Sequence, residues 1–324
     1  MCHKAIRPFI FVWYPFYFFF VNSLLPSGFA FNEIGEFVVK NLEHQFQGVC
    51  QLLNPASKNY VYSTLENLSQ TPIFMNTPYV TLTIKNSVGY IEFFHPNRNS
   101  MPSDILLKLA ETITAAGTNN AINVVVLQSG GDRTFCAGAS FHEVMAVTTS
   151  EEGKAFFSGF AHVINAMRRC PKLIIGRVQG KTVGGGVGLA AATDYCLASK
   201  HAAIRLSELS IGIGPFVIEP AVTRKIGLSA MSQLTIDAET FFSAEWAKSK
   251  GLYAEVFETK EALDGATTIL AEKLSSYNPE ALKQMKAVFW EGTQHWDTLL
   301  LERAEISGTL VLSDFTKNTL KRFR

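Results

Sequence analysis

Residues 172–190 read KLIIGRVQGKTVGGGVGLA: an apolar run, a basic and glycine-containing turn, three consecutive glycines, then an alanine-rich stretch. Lys172 to Val178 is short, apolar and bounded by turn formers, which predicts a buried strand covered on both faces. Glycine is a poor helix former. Three of them at a helix start imply either close packing or backbone amides left open to a ligand. Two phosphate-binding motifs fail here. Gly176 to Thr182 spells GxxxGKT, one residue short of the P-loop, and Gly184 to Gly188 gives GxGxG without the third glycine of the dinucleotide fingerprint.

Outward from this stretch the chain alternates strands and helices. Tyr79 to Ile84 and Gly89 to Phe94 read as two strands joined by a hairpin-like turn at Lys85 to Val88. Pro102 opens a helix carrying Ile105, Leu106, Leu109 and Ile113 on one face. Ile122 to Leu127 is a second doubly buried strand, Glu151 to Arg168 a helix, and Tyr195 to Ala198 a further strand. From Glu261 only helical patterns follow, through Leu274, Pro279 to Trp290 and Trp296 to Leu310. The expected organisation is therefore an α/β core over residues 75–260 and an all-helical region over 261–324.

A second loop resembles the first in kind. Ser129 to Phe141, SGGDRTFCAGASF, leaves a buried strand and enters a helical stretch through small residues. It reads either as a tight turn or as a place where free amides before a helix face an oxygen. Two such loops side by side would form an oxyanion hole, because fixed, uncharged amide donors need no reorganisation as charge develops. Chemistry then needs a proton carrier. Glu208 interrupts the otherwise apolar or small segment Ile204 to Gly212; it is either a capping or solvated turn residue, or a carboxylate whose burial raises its pKa into a useful range. Glu219 is a second carboxylate candidate, placed early in a helix whose first turn Pro215 would occupy.

Bulk properties narrow the classes. With 29 Lys and Arg against 28 Asp and Glu in 324 residues, the net charge of +1 provides no field for nucleic acid or an anionic membrane. The five cysteines, Cys2, Cys50, Cys136, Cys170 and Cys196, never fall at CxxC spacing, which reads as reduced thiols in a cytoplasmic protein. The histidines show no HExxH spacing, so no metal site is expected. Residues 1–74 differ from the rest. Phe9 to Val21 is apolar and aromatic but shorter than the roughly 20 residues a spanning helix needs. They read as a signal or anchor, as a real extension, or, the reading preferred here, as translated sequence upstream of a start at Met75. Membrane contact is expected only if this segment is real and retained.

Three ordered motifs, FCAGASF (135–141), GGGVGLAAATD (184–194) and LSELSIGIGP (206–215), together resemble the enoyl-CoA hydratase/isomerase, or crotonase, superfamily. The likeness runs from about Val80 to the C-terminus. The resemblance implies a spiral of repeated ββα turns with C-terminal helices that build a homotrimer or homohexamer. It places the oxyanion amides at Ala139 and Gly185 and the acid/base at Glu208. It implies acyl-CoA binding along Arg98, Ala137, Ser140, Phe141, His142 and Gly184, with Lys321 or Arg322 near a phosphate. The stretch from Gly184 through Pro215 to AVTRKIG looks like the methylglutaconyl-CoA-like hydratases of branched-acid breakdown. Two departures matter. Many family hydratases carry a glutamate where this chain has Gly188, and an aspartate where it has Ser140.

The resemblance implies hydration or dehydration of an enoyl-CoA, branched acyl groups included, with no cofactor beyond the coenzyme A of the substrate. Because one glutamate suffices to move a proton along an allyl system, a double-bond isomerase is the alternative; for hydration, Glu219 is the candidate for the missing second carboxylate. A catalytically silent acyl-CoA-binding homologue is the remaining one.

Overall fold

The computed structural model describes residues 77–323. The expectations for residues 1–74 lie outside them. The first hairpin forms as its alternation requires: β1 (Tyr79–Lys85) and β2 (Val88–Phe94) pair antiparallel, with Asn86 and Ser87 both at positive φ in the two-residue turn. The later strand-to-strand pairings are parallel, and one isolated antiparallel bridge joins Ile204 to Phe242. The six-stranded sheet runs β1-β2-β4-β7-β9-β11, with β4 (Val124–Ser129), β7 (Leu173–Val178), β9 (Tyr195–Ser199) and β11 (Glu255–Phe257).

β2, β4, β7 and β9 of the large sheet are each followed by short strand pairing in a smaller sheet and then a helix, which is the expected ββα spiral. β3 (Ser100–Met101) pairs with β6 (Gly138–Ala139); β5 (Thr134–Cys136), β8 (Lys181–Val183) and β10 (Ile204–Arg205) form a parallel three-stranded sheet. The helices are α1 (Ser103–Thr118), α2 (Phe141–Ala146), α3 (Ser150–Arg169), α4 (Gly185–Ala191), α5 (Glu219–Ile236), α6 (Ala244–Ser249), α7 (Lys260–Ser275), α8 (Pro279–Phe289), α9 (Trp296–Leu310) and α10 (Asp314–Leu320).

The unbroken apolar reading of β4 is explained by its two covered faces. Val125 and Leu127 join Leu106, Leu109 and Ile164 of α1 and α3, whereas Val124 and Val126 join Leu263 and Ala271 of α7. Burial of one such side chain stabilises by about 1.5–3 kcal/mol. The caps agree with the sequence: Thr149 and Glu152 form a capping box on α3, and Ser243, Thr259, Asn278 and Ser313 cap α6, α7, α8 and α10.

Two details differ from the sequence reading. The 129–141 loop contains β5 and β6, strands too short to carry a periodic signal. Pro215 does not open a helix; α5 begins at Glu219 with Pro220 in its first turn, and the Glu219 N–H donates to the Pro215 carbonyl.

Candidate active site

The site is assembled where β8 turns into α4. Gly184 holds φ 53° and ψ −122°, and its N–H donates to the Arg205 carbonyl at 2.9 Å. A Cβ at Gly184 would come within 2.8 Å of Glu208 Oε1, so glycine is required both by backbone conformation and by the carboxylate against it. Gly185 then opens α4, where a backbone N–H has no acceptor within the helix. Its other side is closed by Phe160 of α3, whose ring would lie 2.1 Å from an added Cβ.

The second loop packs into this corner. Gly138, at φ 87°, sits so close that a Cβ there would be 3.0 Å from the Val183 carbonyl oxygen and 3.7 Å from the Gly185 nitrogen. Ala139 follows directly. Its neighbours are fixed: Ser140 donates its N–H to the Met101 carbonyl at 3.1 Å and caps α2. Ala137 donates to the Asn99 carbonyl at 3.3 Å, which draws the Arg98–Asn99 turn alongside. The two small-residue loops recognised in sequence therefore meet, at the starts of two helices.

Glu208 enters from β10. Leu206 is buried in the core, and the Glu208 carbonyl accepts the N–H groups of Ile211 and Ile213, which folds the turn Leu209–Ile211 over the residue. Gly212, at φ 87°, ends that turn against Phe315 and Thr316 of α10. Oε2 of Glu208 is buried and makes no hydrogen bond. Burial pushes the carboxyl up from 4.5 to about 7, against the opposing pull of its own N–H and the charge of Arg205. A carboxyl poised there both accepts and returns a proton near neutral pH.

The other expected residues are distributed as follows. Glu219 accepts from Thr223 Oγ1 at 2.7 Å and faces Arg303 at 4.0 Å, so partners hold its carboxylate, unlike the Oε2 of Glu208. Arg98 is exposed at φ 56°, Phe141 is half-buried and His142 is exposed on α2. Lys321 is exposed after α10 and donates to Asn318 at 3.3 Å. At Gly188 there is no room for a side chain: a Cβ would lie 2.4 Å from Cγ2 of Ile218.

Sequence reading missed Arg205, Phe160 and Ile218. Of these only Arg205 carries a signal, as the one cation between Ile204 and Gly214. A separate polar cavity of about 260 Å³ is lined by Tyr79, Glu92, Arg177 and Asp264 rather than by these residues. Of the carboxylates that line it, Glu92 is paired with Tyr79 and Gln128 and Asp264 with Arg177 and Lys260, while Asp132 stands at its exposed rim. Among the described residues no cluster of His, Cys, Asp or Glu is arranged to hold a metal ion, and no helix is long and apolar enough to cross a membrane.

Comparison with known proteins agrees with the geometry. The sequence model of the enoyl-CoA hydratase/isomerase family matches residues 83–316. A peroxisomal Delta(3,5)-Delta(2,4)-dienoyl-CoA isomerase of Arabidopsis thaliana is 26% identical over 63% of this chain and 77% of its own. A short-chain-enoyl-CoA hydratase of Clostridium acetobutylicum is 29% identical over 75% and 94%, and the human mitochondrial methylglutaconyl-CoA hydratase 28% over 61% and 59%. Among solved structures, an enoyl-CoA hydratase from Bacillus halodurans superposes with a TM-score of 0.71, covering 75% of this chain and 99% of its own at 21% identity.

Proposed function

The chain belongs to the enoyl-CoA hydratase/isomerase family, and from that premise we propose that it adds water reversibly across the double bond of an enoyl-CoA, short branched acyl groups of the methylglutaconyl kind included. The observation that carries this reading is the Glu208 carboxylate, lodged against Gly184 with one oxygen buried and unbonded, beside the Gly185 amide and the Gly138–Ala139 segment. In the proposed reaction the thioester oxygen accepts hydrogen bonds from the Ala139 and Gly185 amides. These strengthen as the enolate forms and so stabilise the transition state more than the bound substrate. Glu208, ionised, takes a proton from the water whose oxygen attacks the β carbon and returns that proton to the α carbon as the enolate collapses; in reverse the ionised carboxylate removes the α proton and gives it to the departing hydroxyl. Coenzyme A enters as part of the substrate, along Arg98, Ala137 and Ser140 to His142, with Gly184 beside the acyl group and Lys321 or Arg322 near a phosphate.

A second reading rests on Gly188. With Ile218 filling the space beside it, no second carboxylate stands at that position, and Glu219 is engaged by Thr223 and Arg303. One carboxylate is enough to move a proton between the α and γ carbons, so double-bond isomerisation by Glu208 alone is the alternative. Mass spectrometry of the products from 3-methylglutaconyl-CoA, crotonyl-CoA and a 3-enoyl-CoA separates the two. Gain of water, lost in Glu208→Gln, supports hydration; double-bond migration without a mass change supports the isomerase; binding without turnover supports a silent homologue.

The same assay on a chain started at Met75 tests the proposal that residues 1–74 are dispensable, with full activity expected. The exposed Met285, Val288 and Phe289 on α8 support a homotrimer or homohexamer, which light scattering would measure.

A further inference from the structure

Among the described residues two buried side-chain polar atoms make no hydrogen bond, Oε2 of Glu208 and Nε of Arg205. The first belongs to the chemistry proposed above. The second has no such account. Other buried or half-buried guanidinium groups are matched to acceptors: Arg177 to Asp264 and Arg168 to Asp297. A buried donor without an acceptor costs about 1–3 kcal/mol, so an orphan beside a reaction site marks where a ligand group is received.

The surroundings specify the kind of group. Arg205 ends β10, and its carbonyl accepts the Gly184 N–H, so its backbone lies one residue from the Gly185 amide. Its guanidinium carbon lies 4.5 Å from the centre of the Phe241 ring, and Lys181 Nζ lies 5.0 Å from the same ring. Stacking on an aromatic occupies the flat face of a guanidinium. It leaves the edge, the fork that pairs with a carboxylate, outside the stack, and on that edge Nε is covered and unbonded.

We propose that Arg205 is a specificity-determining residue that receives a carboxylate at the far end of the acyl group, so that the favoured substrates are short unsaturated dicarboxylic acyl-CoA thioesters. This rests on the enoyl-CoA reading above. Electrostatics require such a group: a second carboxylate brought near Glu208 in a water-poor site repels its charge and raises its pKa further unless a cation offsets it. A monocarboxylic acyl chain leaves Arg205 unmatched, and a site with an unpaired buried polar group discriminates strongly against the ligand that fails to fill it.

Glutaconyl-CoA and crotonyl-CoA form a matched probe pair, differing in the terminal carboxylate. The full chain, Arg205→Gln, Arg205→Lys and Glu208→Gln are assayed on both, with Tm recorded for each. Wild type favours glutaconyl-CoA, and Arg205→Gln lowers the ratio of the two kcat/KM values about 10- to 100-fold. Arg205→Lys lowers it less, because it keeps the charge and loses the fork. A ratio unmoved in Arg205→Gln, or in a folded Arg205→Lys where the glutamine variant does not fold, overturns the assignment and leaves the enoyl-CoA reading standing. Equal loss on both substrates does the same. Wild type inert toward both thioesters, and indistinguishable from Glu208→Gln, overturns the reading and the assignment together.

Discussion

Two buried carboxylates flank α4 and are provisioned in opposite ways. Asp194, just past its C-terminal end, is saturated. One oxygen accepts from Lys286 Nζ and from the Ile174 N–H, both at 2.7 Å, and the other accepts from Trp290 Nε1 at 2.7 Å. The Asp194 and Lys286 side chains are 4% and 3% exposed, so this pair ties α8 and the residue after it to the large sheet from inside. Glu208, against the N-terminal end of α4, has an oxygen equally hidden from water and bonded to nothing. A carboxylate held by three donors from separate elements serves as a structural tie. One deprived of donors stays close to its protonated form and is free to work.

The contrast breaks most visibly through activity. Glu208→Gln keeps the shape and removes the proton carrier, so turnover falls about 10²- to 10⁴-fold while acyl-CoA affinity is retained. A loss of affinity matching the loss of rate would make Glu208 a binding residue instead. Asp194→Ala is the converse experiment: it strands Lys286 in the interior and lowers the urea-unfolding free energy by about 3–5 kcal/mol. Were that variant as stable as wild type, the pairing would hold nothing together.

The pH dependence sharpens the same comparison. Glu208 has a folded pKa of about 7 against an ordinary 4.5, so between these values the folded state binds more protons than the unfolded one. Its contribution therefore destabilises progressively as pH rises from 4.5 to 7, by on the order of 3 kcal/mol in full. Glu208→Gln should melt higher than wild type at pH 8, and the gap should close near pH 4. Hydration, which needs the ionised form, should rise through about pH 7. A melting difference that is the same at both pH values would mean that Glu208 titrates normally.

Much of this was legible in the sequence, unevenly. Glu208 stood out as a carboxylate in an otherwise apolar or small segment, a signal that gained weight only beside the two glycine loops, and the loops stood out because three successive glycines make poor helix. The parallel sheet was visible in the continuous runs of β4 and β7. Asp194 was quoted within its motif without a role, since Lys286 and Trp290 lie more than 90 residues away and no local pattern connects them. Arg205 carried no reading in the sequence; its orphan Nε exists only once the strand is folded. Pro215 misled because the chain runs through a turn before α5, and β5 and β6 are too short for any period to register.

The smallest effect concerns why Glu208 has no companion at Gly188. A Cβ there would lie 2.4 Å from Cγ2 and 2.6 Å from Cβ of Ile218, so Gly188→Ala overpacks the helix and costs about 1–3 kcal/mol. If Ile218 alone is the obstacle, Gly188→Ala combined with Ile218→Ala is less damaging than the sum of the two single changes, by about 1 kcal/mol in a double-mutant cycle. Strictly additive losses would mean that the backbone around α4 gives way instead, and that the space is shut by something other than Ile218. The outcome bears on chemistry as well as packing. Where Ile218 is the wall, the site is a single-carboxylate one for a steric reason, and the water or the allylic proton is handled by Glu208 without help from that side.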